Sequence, residues 1–285
     1  MDIKNEFNLI GIEFNIDSYL KKYIHYFIYQ TNDIWIRDYC PQSLKSGDFN
    51  ITKYNAYQKK YPYKRDNAFS ISYINSKSKV NKKLCKVFNN LIIEGGNTIF
   101  NKDLFLINKN PLLKHNDIKW SEIKKLLDQY FDSQIGYDYH VIDIKPIKGD
   151  DTNGHIDNLV RFYDNDTILY MNSTNKNHPD YNKLVTLENQ LEKIIDKNNL
   201  SYKLIPIEHK IEDVIRSSNE ILPFSYLNYI RNGKDVIFPI NKKTTEEQKK
   251  EFNKIFMKDN LFFIDATSLL NQYGGLHCCT MNIVW

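Results

Sequence analysis

Gly274-Gly275-Leu276-His277-Cys278-Cys279-Thr280 and Gly149-Asp150-Asp151-Thr152-Asn153-Gly154-His155-Ile156-Asp157 are the two stretches that decide how this sequence is read. A thiol that follows a Gly-Gly turn and a histidine is placed unlike core filler. Glycine lets the backbone approach a ligand closely and leaves a neighbouring thiol accessible. Alone, such a cysteine reads equally well as a small buried hydrophobe. The second stretch shifts the balance, because it offers a histidine with carboxylates on either side. A cysteine with a distant histidine and acid is the pattern of covalent catalysis.

The rest of the chain limits what that chemistry can belong to. With 285 residues, 41% of them hydrophobic, there is enough apolar material for a large core. Charges interrupt every apolar run before it reaches the length of a membrane span, so no membrane partner is expected. Met1-Asp2-Ile3-Lys4-Asn5-Glu6 lacks the basic head and apolar stretch of a secretory signal. Four cysteines, two of them adjacent (Cys278 and Cys279), are too few and too badly spaced for a disulfide scaffold. A reducing cytoplasm is the expected compartment. The formal charge of +4 comes from dispersed lysines such as Lys59-Lys60 and Lys82-Lys83. These read as solvated faces, and no basic stripe points to nucleic acid.

Strand and helix patterns alternate along the chain. Strands are expected at 8–14, 33–39, 49–54, 91–94, 103–107, 138–144, 158–162, 167–171, 202–207, 235–239, 261–264 and 279–285. Helices are expected at 16–29, 120–131, 180–197 and 245–256. The alternation argues an α/β fold. No linker-like stretch divides the chain, so residues 1–285 read as a single domain. No phosphate-binding glycine loop occurs. Asp38, Asn97, His155 and Cys278 fall at strand ends and turns, positions that converge on one face of an α/β protein.

Two further segments complete the set: Trp35-Ile36-Arg37-Asp38-Tyr39-Cys40-Pro41 and Glu94-Gly95-Gly96-Asn97. In this order and spacing, the four segments resemble the agmatine deiminase and bacterial (Porphyromonas-type) peptidyl-arginine deiminase family. Lys60-Tyr61-Pro62-Tyr63 with Asp66, Arg161-Phe162, and Ser225-Tyr226-Leu227-Asn228-Tyr229 extend the resemblance over nearly the whole chain from about residue 8. The resemblance implies the pentein fold, a five-bladed propeller of ββαβ units around a polar centre. It also implies Cys278 as nucleophile, His155 as general acid and base, and Asp38, Asp157 and Asp151 as the carboxylates around a guanidinium. Trp35, Arg37, Gly96 and Asn97 would shape the substrate site, and Cys279 would be core. Two departures from the family's pattern suggest an incomplete first blade and a more open site. Only thirty-four residues precede Trp35 with no Trp-Pro anywhere, and Cys40 replaces the usual glycine of R-D-x-G-P.

The chemistry of a guanidinium suits these residues. It is planar, permanently charged, and presents N–H donors in a fork that matches carboxylates. Its charge can favour the thiolate of a bound cysteine, whose free pKa is about 8.5. His155 could then protonate departing ammonia and activate water against the S-alkylthiouronium adduct, with no metal or cofactor. The leading substrate is agmatine, converted to N-carbamoylputrescine. Arginine in peptides or proteins, amidino transfer and a non-catalytic guanidinium-binding protein stand as alternatives, and homodimerisation is left open. Each residue also has a structural reading. Asp38 could pair with Arg37, Trp35 could be core, Gly95-Gly96-Asn97 could be a turn, and His155, Asp157, His277 and Cys278 have ligand types suited to zinc.

Overall fold

The computed structural model describes residues 7–9, 24–44, 48–76, 85–101, 104–132, 138–217 and 220–283. Among these, one local pattern recurs. A short strand pairs antiparallel with the next, a helix follows, and the chain returns as a parallel strand on the far side. The pattern gives four three-stranded sheets: β3 (Gln42–Ser43), β4 (Phe49–Lys53) and β5 (Cys85–Ile92); β6 (Thr98–Phe100), β7 (Phe105–Asn108) and β8 (Tyr139–Ile142); β9 (Val160–Phe162), β10 (Thr167–Asn172) and β11 (Lys203–Glu208); β14 (Ile230–Asn232), β15 (Asp235–Ile240) and β16 (Asn260–Asp265). At the N-terminal side, β1 (Phe7–Leu9) and β2 (Ile24–Tyr26) form a parallel pair with no antiparallel third strand among the described residues. A small hairpin, β12 (Arg216–Ser217) with β13 (Glu220–Ile221), stands apart.

The crossover helices are α1 (Lys64–Ser76), α2 (Lys109–Asn116), α3 (Trp120–Tyr130), α4 (Tyr181–Lys197) and α5 (Glu246–Ile255). In α4 the buried residues Leu184, Leu187 and Leu191 recur at i, i+3 and i+7, which makes one apolar stripe. Helix α5 starts where Thr245 and Gln248 cap each other reciprocally. Antiparallel β9–β10 and parallel β10–β11 keep Ile168, Leu169, Tyr170 and Met171 inside the largest apolar cluster.

Several expected elements differ. Residues 33–39 alternate like a strand, yet Ile36–Asp38 form a 3-10 turn, because Asp33 accepts from the Trp35 N–H and starts a bend there. Ile24–Tyr26 lie in β2 rather than in the expected helix over 16–29, where pairing with β1 overrides the helical spacing; residues 10–23 lie outside those described. The segment expected as a strand over 279–285 leaves a turn and runs on to residue 283 without ladder bonds, with 284–285 outside the described residues. Helices α1 and α2 were not expected, since asparagine, serine and lysine dilute their apolar spacing.

A buried histidine pair sits where β10 and β11 end. The Asp180 N–H donates to His178 Nδ1, so His178 carries its hydrogen on Nε2 and donates to His209 Nδ1 at 3.0 Å. Burial pushes His209 down to about 4. In the unfolded chain this imidazole takes its proton near 6.5, and in the fold only near 4. Stability present above pH 6.5 is therefore lost as pH falls toward 4, by up to about 3 kcal/mol. Urea denaturation at pH 7.5 and 5 should show this loss, and His209→Asn should flatten it. An unchanged slope in the variant would place the acid sensitivity elsewhere.

Candidate active site

The turns that lead into the sheets carry the polar residues. Ile36–Asp38 precedes β3, Gly95–Asn97 precedes β6, and Ile156–Asn158 precedes β9, each as a 3-10 turn. The turn holding Asn228 precedes β14, and Leu276–Cys279 form another. These connections meet, and Asp38, Glu94, His155, Asp157 and His277 are all buried there. Cys278 keeps partial solvent access.

His155 is held from both sides. Its Nε2 contacts Glu94 Oε2 at 2.9 Å, and its Nδ1 faces Asp38 Oδ1 at 3.5 Å. The same Glu94 oxygen accepts from His115 Nδ1 at 2.6 Å, and Asn153 Nδ2 donates to His115 Nε2, which fixes the hydrogen of His115 on Nδ1. Nδ1 of His155 is thus the nitrogen left for a substrate. Gly96 makes room for it. A Cβ on Gly96 would lie 2.5 Å from His155 Nδ1 and 2.8 Å from Asp38 Oδ1, while the Gly96 N–H donates to Asp38. Burial by itself would depress His155, but Asp38 and Glu94 outweigh it and raise the imidazole to about 10. Burial would raise Glu94, yet His115 and His155 pull it down to about 2.

The nucleophile candidate lies against a second set. Cys278 Sγ is 4.0 Å from Asp157 Oδ2 and 3.3 Å from Asn228 Nδ2. Asn228 is itself fixed, donating to Asn158 Oδ1 at 2.9 Å and accepting from the His277 N–H at 2.8 Å. His277 donates from Nδ1 to Asp157 Oδ2 at 2.7 Å, and burial keeps it neutral by pushing its pKa well down. Asp157 Oδ1 is buried with no hydrogen-bond partner among the described residues. Burial raises Asp157 to about 6 despite the opposing pull of His155. Burial, then Asp157 and Asp38, hold the Cys278 thiol well above its ordinary value, so it is protonated until positive charge arrives.

The structure brings Cys278, His155, Asp38 and Asp157 together, with Gly96 between His155 and Asp38. The remaining sequence candidates sit around this centre. Arg37 turns away and ties down the nucleophile's turn, with its N–H on Cys278 O at 3.0 Å and its Nε on His277 O at 3.2 Å. Its partners are main-chain oxygens and Met281 rather than Asp38. The Trp35 ring packs on Gly274, where a Cβ would come within 2.3 Å of ring carbons. Asn97 exchanges hydrogen bonds with the backbone of Asn108. Asp151 does not contact the side chains of Cys278, His155, Asp38 or Asp157 and is bonded to Lys60 Nζ at 3.0 Å and Tyr61 OH at 3.2 Å. It lines a cleft of about 590 Å³ with Lys60, Tyr61, Lys148, Gly149 and Tyr273. Cys279 donates to Leu276 O, away from the carboxylates. Glu94, His115, Asn228 and His277 were not among the expected site residues. Glu94 and Asn228 lie inside quoted motifs, and His277 is adjacent to the nucleophile. His115 carries no local signal in the sequence.

Comparison with known proteins follows the same lines. A family model described as Porphyromonas-type peptidyl-arginine deiminase matches residues 6–283. The chain belongs to this family. A relative from Marinomonas sp. (strain MWYL1), named "Putative agmatine deiminase", is 24% identical over 219 residues, covering 68% of this chain and 57% of its own length. The chain thus spans little more than half of that curated relative. The agmatine deiminase of C. jejuni, solved with substrate bound, superposes with a TM-score of 0.77 at 24% identity, covering 95% of this chain and 80% of that one. The DDAH of Pseudomonas aeruginosa, at 11% identity, gives 0.54 over 88% and 78%. These neighbours share the α/β pentein fold.

Two outcomes test the geometry. Glu94→Gln removes one of the two carboxylates that hold His155 protonated, so kcat should fall on the order of 10²–10⁴-fold and the alkaline arm of the rate profile should move to lower pH. An unmoved alkaline arm would detach Glu94 from His155. Asp157 attracts a cation only when ionised, so kcat/KM should decline as pH falls through about 6. A flat profile between pH 7 and 5 would show that Asp157 does not hold the substrate.

Proposed function

We propose that the protein is a hydrolase that deiminates a guanidinium substrate to a ureido product and ammonia, with agmatine converted to N-carbamoylputrescine as the leading reaction. The observation that carries this reading is Asp157 Oδ1, a buried carboxylate oxygen without a partner, beside a part-exposed thiol. An unpaired buried acceptor is costly, and a guanidinium N–H would satisfy it. The reading includes one domain, with the β1–β2 pair as the reduced first unit of a five-bladed propeller.

The steps follow from the geometry. A guanidinium seated on Asp157 and Asp38 brings positive charge next to Cys278 and favours release of its thiol proton to solvent. The thiolate attacks the guanidine carbon. His155 delivers its Nδ1 proton to one amino nitrogen as the C–N bond breaks, and ammonia leaves. The neutral imidazole then takes a proton from water, and hydroxide adds to the thiouronium carbon. The adduct collapses with the C–S bond breaking and the hydroxyl proton passing to the departing sulfur, which yields the neutral ureido product and the Cys278 thiol. Glu94 keeps the ring oriented throughout.

The cleft that Asp151 lines supports a second reading. Asp151 could receive an ammonium tail, whereas Lys60 and Lys148 on the same cleft suit a carboxylate tail, as in arginine or an arginyl peptide. Assays of agmatine, free arginine and an arginyl peptide for ureido product decide between them. The highest specificity constant for agmatine supports the first reading, a higher one for either arginine compound supports the second, and no product from any of the three overturns deimination. Cys278→Ser should abolish turnover with the fold intact. Cys279→Ser should cost no more than about 1 kcal/mol of stability and leave activity in place. The reverse order would move the nucleophile to Cys279.

A further inference from the structure

Between β4 and α1 the backbone does something unusual for ordinary residues. Ala56, Tyr57, Gln58 and Lys59 have φ of +48°, +54°, +70° and +62°, one turn of left-handed helix without a glycine. The turn is closed by Lys59 N–H on Asn55 O at 2.6 Å and Lys60 N–H on Ala56 O at 2.9 Å. Asn55 adds an acceptor for the Gln58 N–H and a donor to His115 O. Side chains with a Cβ resist this hand, and strain of this kind persists where the surroundings demand it.

The demand is visible at Tyr57. Its side chain is buried, and its hydroxyl donates to Asp38 Oδ2 at 2.6 Å. Its ring stands edge-on to the rings of His155 and His115, with centroids 5.8 and 6.0 Å away. Asp38 Oδ1 is already occupied by the Gly96 N–H and faces His155. Tyr57 therefore supplies the second of two opposed contacts that stop the Asp38 carboxylate from rotating. A right-handed turn would carry this side chain away from Asp38. Beyond the turn, Lys60 and Tyr61 both contact Asp151, so the segment is anchored at two points, on Asp38 and on Asp151.

We propose that Tyr57 is a positioning residue for guanidinium binding, its hydroxyl holding Asp38 in register with the substrate's N–H fork and the left-handed turn Ala56–Lys59 existing to present it. This rests on the deiminase reading above. The hydroxyl also opposes the rise in the Asp38 pKa caused by burial, alongside His155 and against Glu94. The titratable groups that act on Asp38 are Tyr57, Tyr54, His155, Glu94, Asp157, Asp33 and Cys278.

Tyr57→Phe keeps the ring and removes the hydroxyl. A hydrogen bond to a charged group is lost, so KM for the best guanidinium substrate should rise roughly 10- to 100-fold. The change in kcat should stay within about threefold, because His155 and Cys278 keep their own contacts. The acid arm of kcat/KM should move to higher pH, since Asp38 without the hydroxyl gains a proton more readily. Thermal melting of the same sample checks folding, and Tyr57→Trp, which restores a ring N–H donor, should recover part of the lost KM. An active wild type with KM and acid arm unchanged in Tyr57→Phe overturns the positioning role and leaves deimination standing. A wild type inactive on agmatine, arginine and arginyl peptide overturns both.

Discussion

Asp38, Glu94 and Asp157 bury three carboxylates in one place with His155 among them, and much of the fold serves to make that tolerable. Like charges in a medium of low dielectric repel strongly, and each pays to leave water. His155 relieves part of the cost by bridging Asp38 and Glu94, and His115 shares the Glu94 oxygen from the other side. Main-chain N–H from Gly96 and the hydroxyl of Tyr57 cover Asp38. Among the described residues two carboxylate oxygens of this group stay without a hydrogen-bond partner, Glu94 Oε1 and Asp157 Oδ1, and of these Asp157 belongs to the residue next to the Cys278 thiol. Arg37 and Arg161 also act on Asp157 from nearby, yet burial still dominates and holds its carboxyl above the ordinary range.

The repeated unit explains how residues so distant in sequence come to one place. Each antiparallel strand is entered from a tight turn, and the turns Ile36–Asp38, Gly95–Asn97 and Ile156–Asn158 share the same 3-10 form. One structural position, used again in successive units, delivers a carboxylate in one turn, a glycine in the next, and a histidine with its acid in the third. The glycine matters as much as the charges. Only the bare Cα of Gly96 lets Asp38 and His155 approach each other.

Legibility in the sequence followed chemistry more closely than geometry. Cys278, His155, Asp38 and Asp157 stood out because a nucleophile, a base and two acids among glycines have few other uses. Helix α4 was legible because its leucines recur at helical spacing. Tyr57 and His115 were not, since one owes its place to a backbone hand that no residue type announces and the other reaches Glu94 from a helix end. Residues 33–39 misled for a related reason. Their alternating pattern is real, but the Arg37 N–H bonds the Cys278 carbonyl instead of a neighbouring strand. Arg37 lay in a quoted motif, and the contacts it makes are to the turn of Cys278: the carbonyls of His277 and Cys278, and Met281.

That bond between residue 37 and residue 278 has a consequence for how the molecule is made. Arg37 reaches across 240 positions to His277, among the most sequence-distant contacts the chain forms. During vectorial synthesis the acidic centre emerges from the ribosome long before the segment that completes it. Closing so large a loop costs conformational entropy and puts this contact late on the folding path. Until that segment is made, Cys278 cannot join the carboxylates. The Cys278 thiol thus meets Asp157 and Asn228 only when the last segment of the chain closes onto one of its first turns.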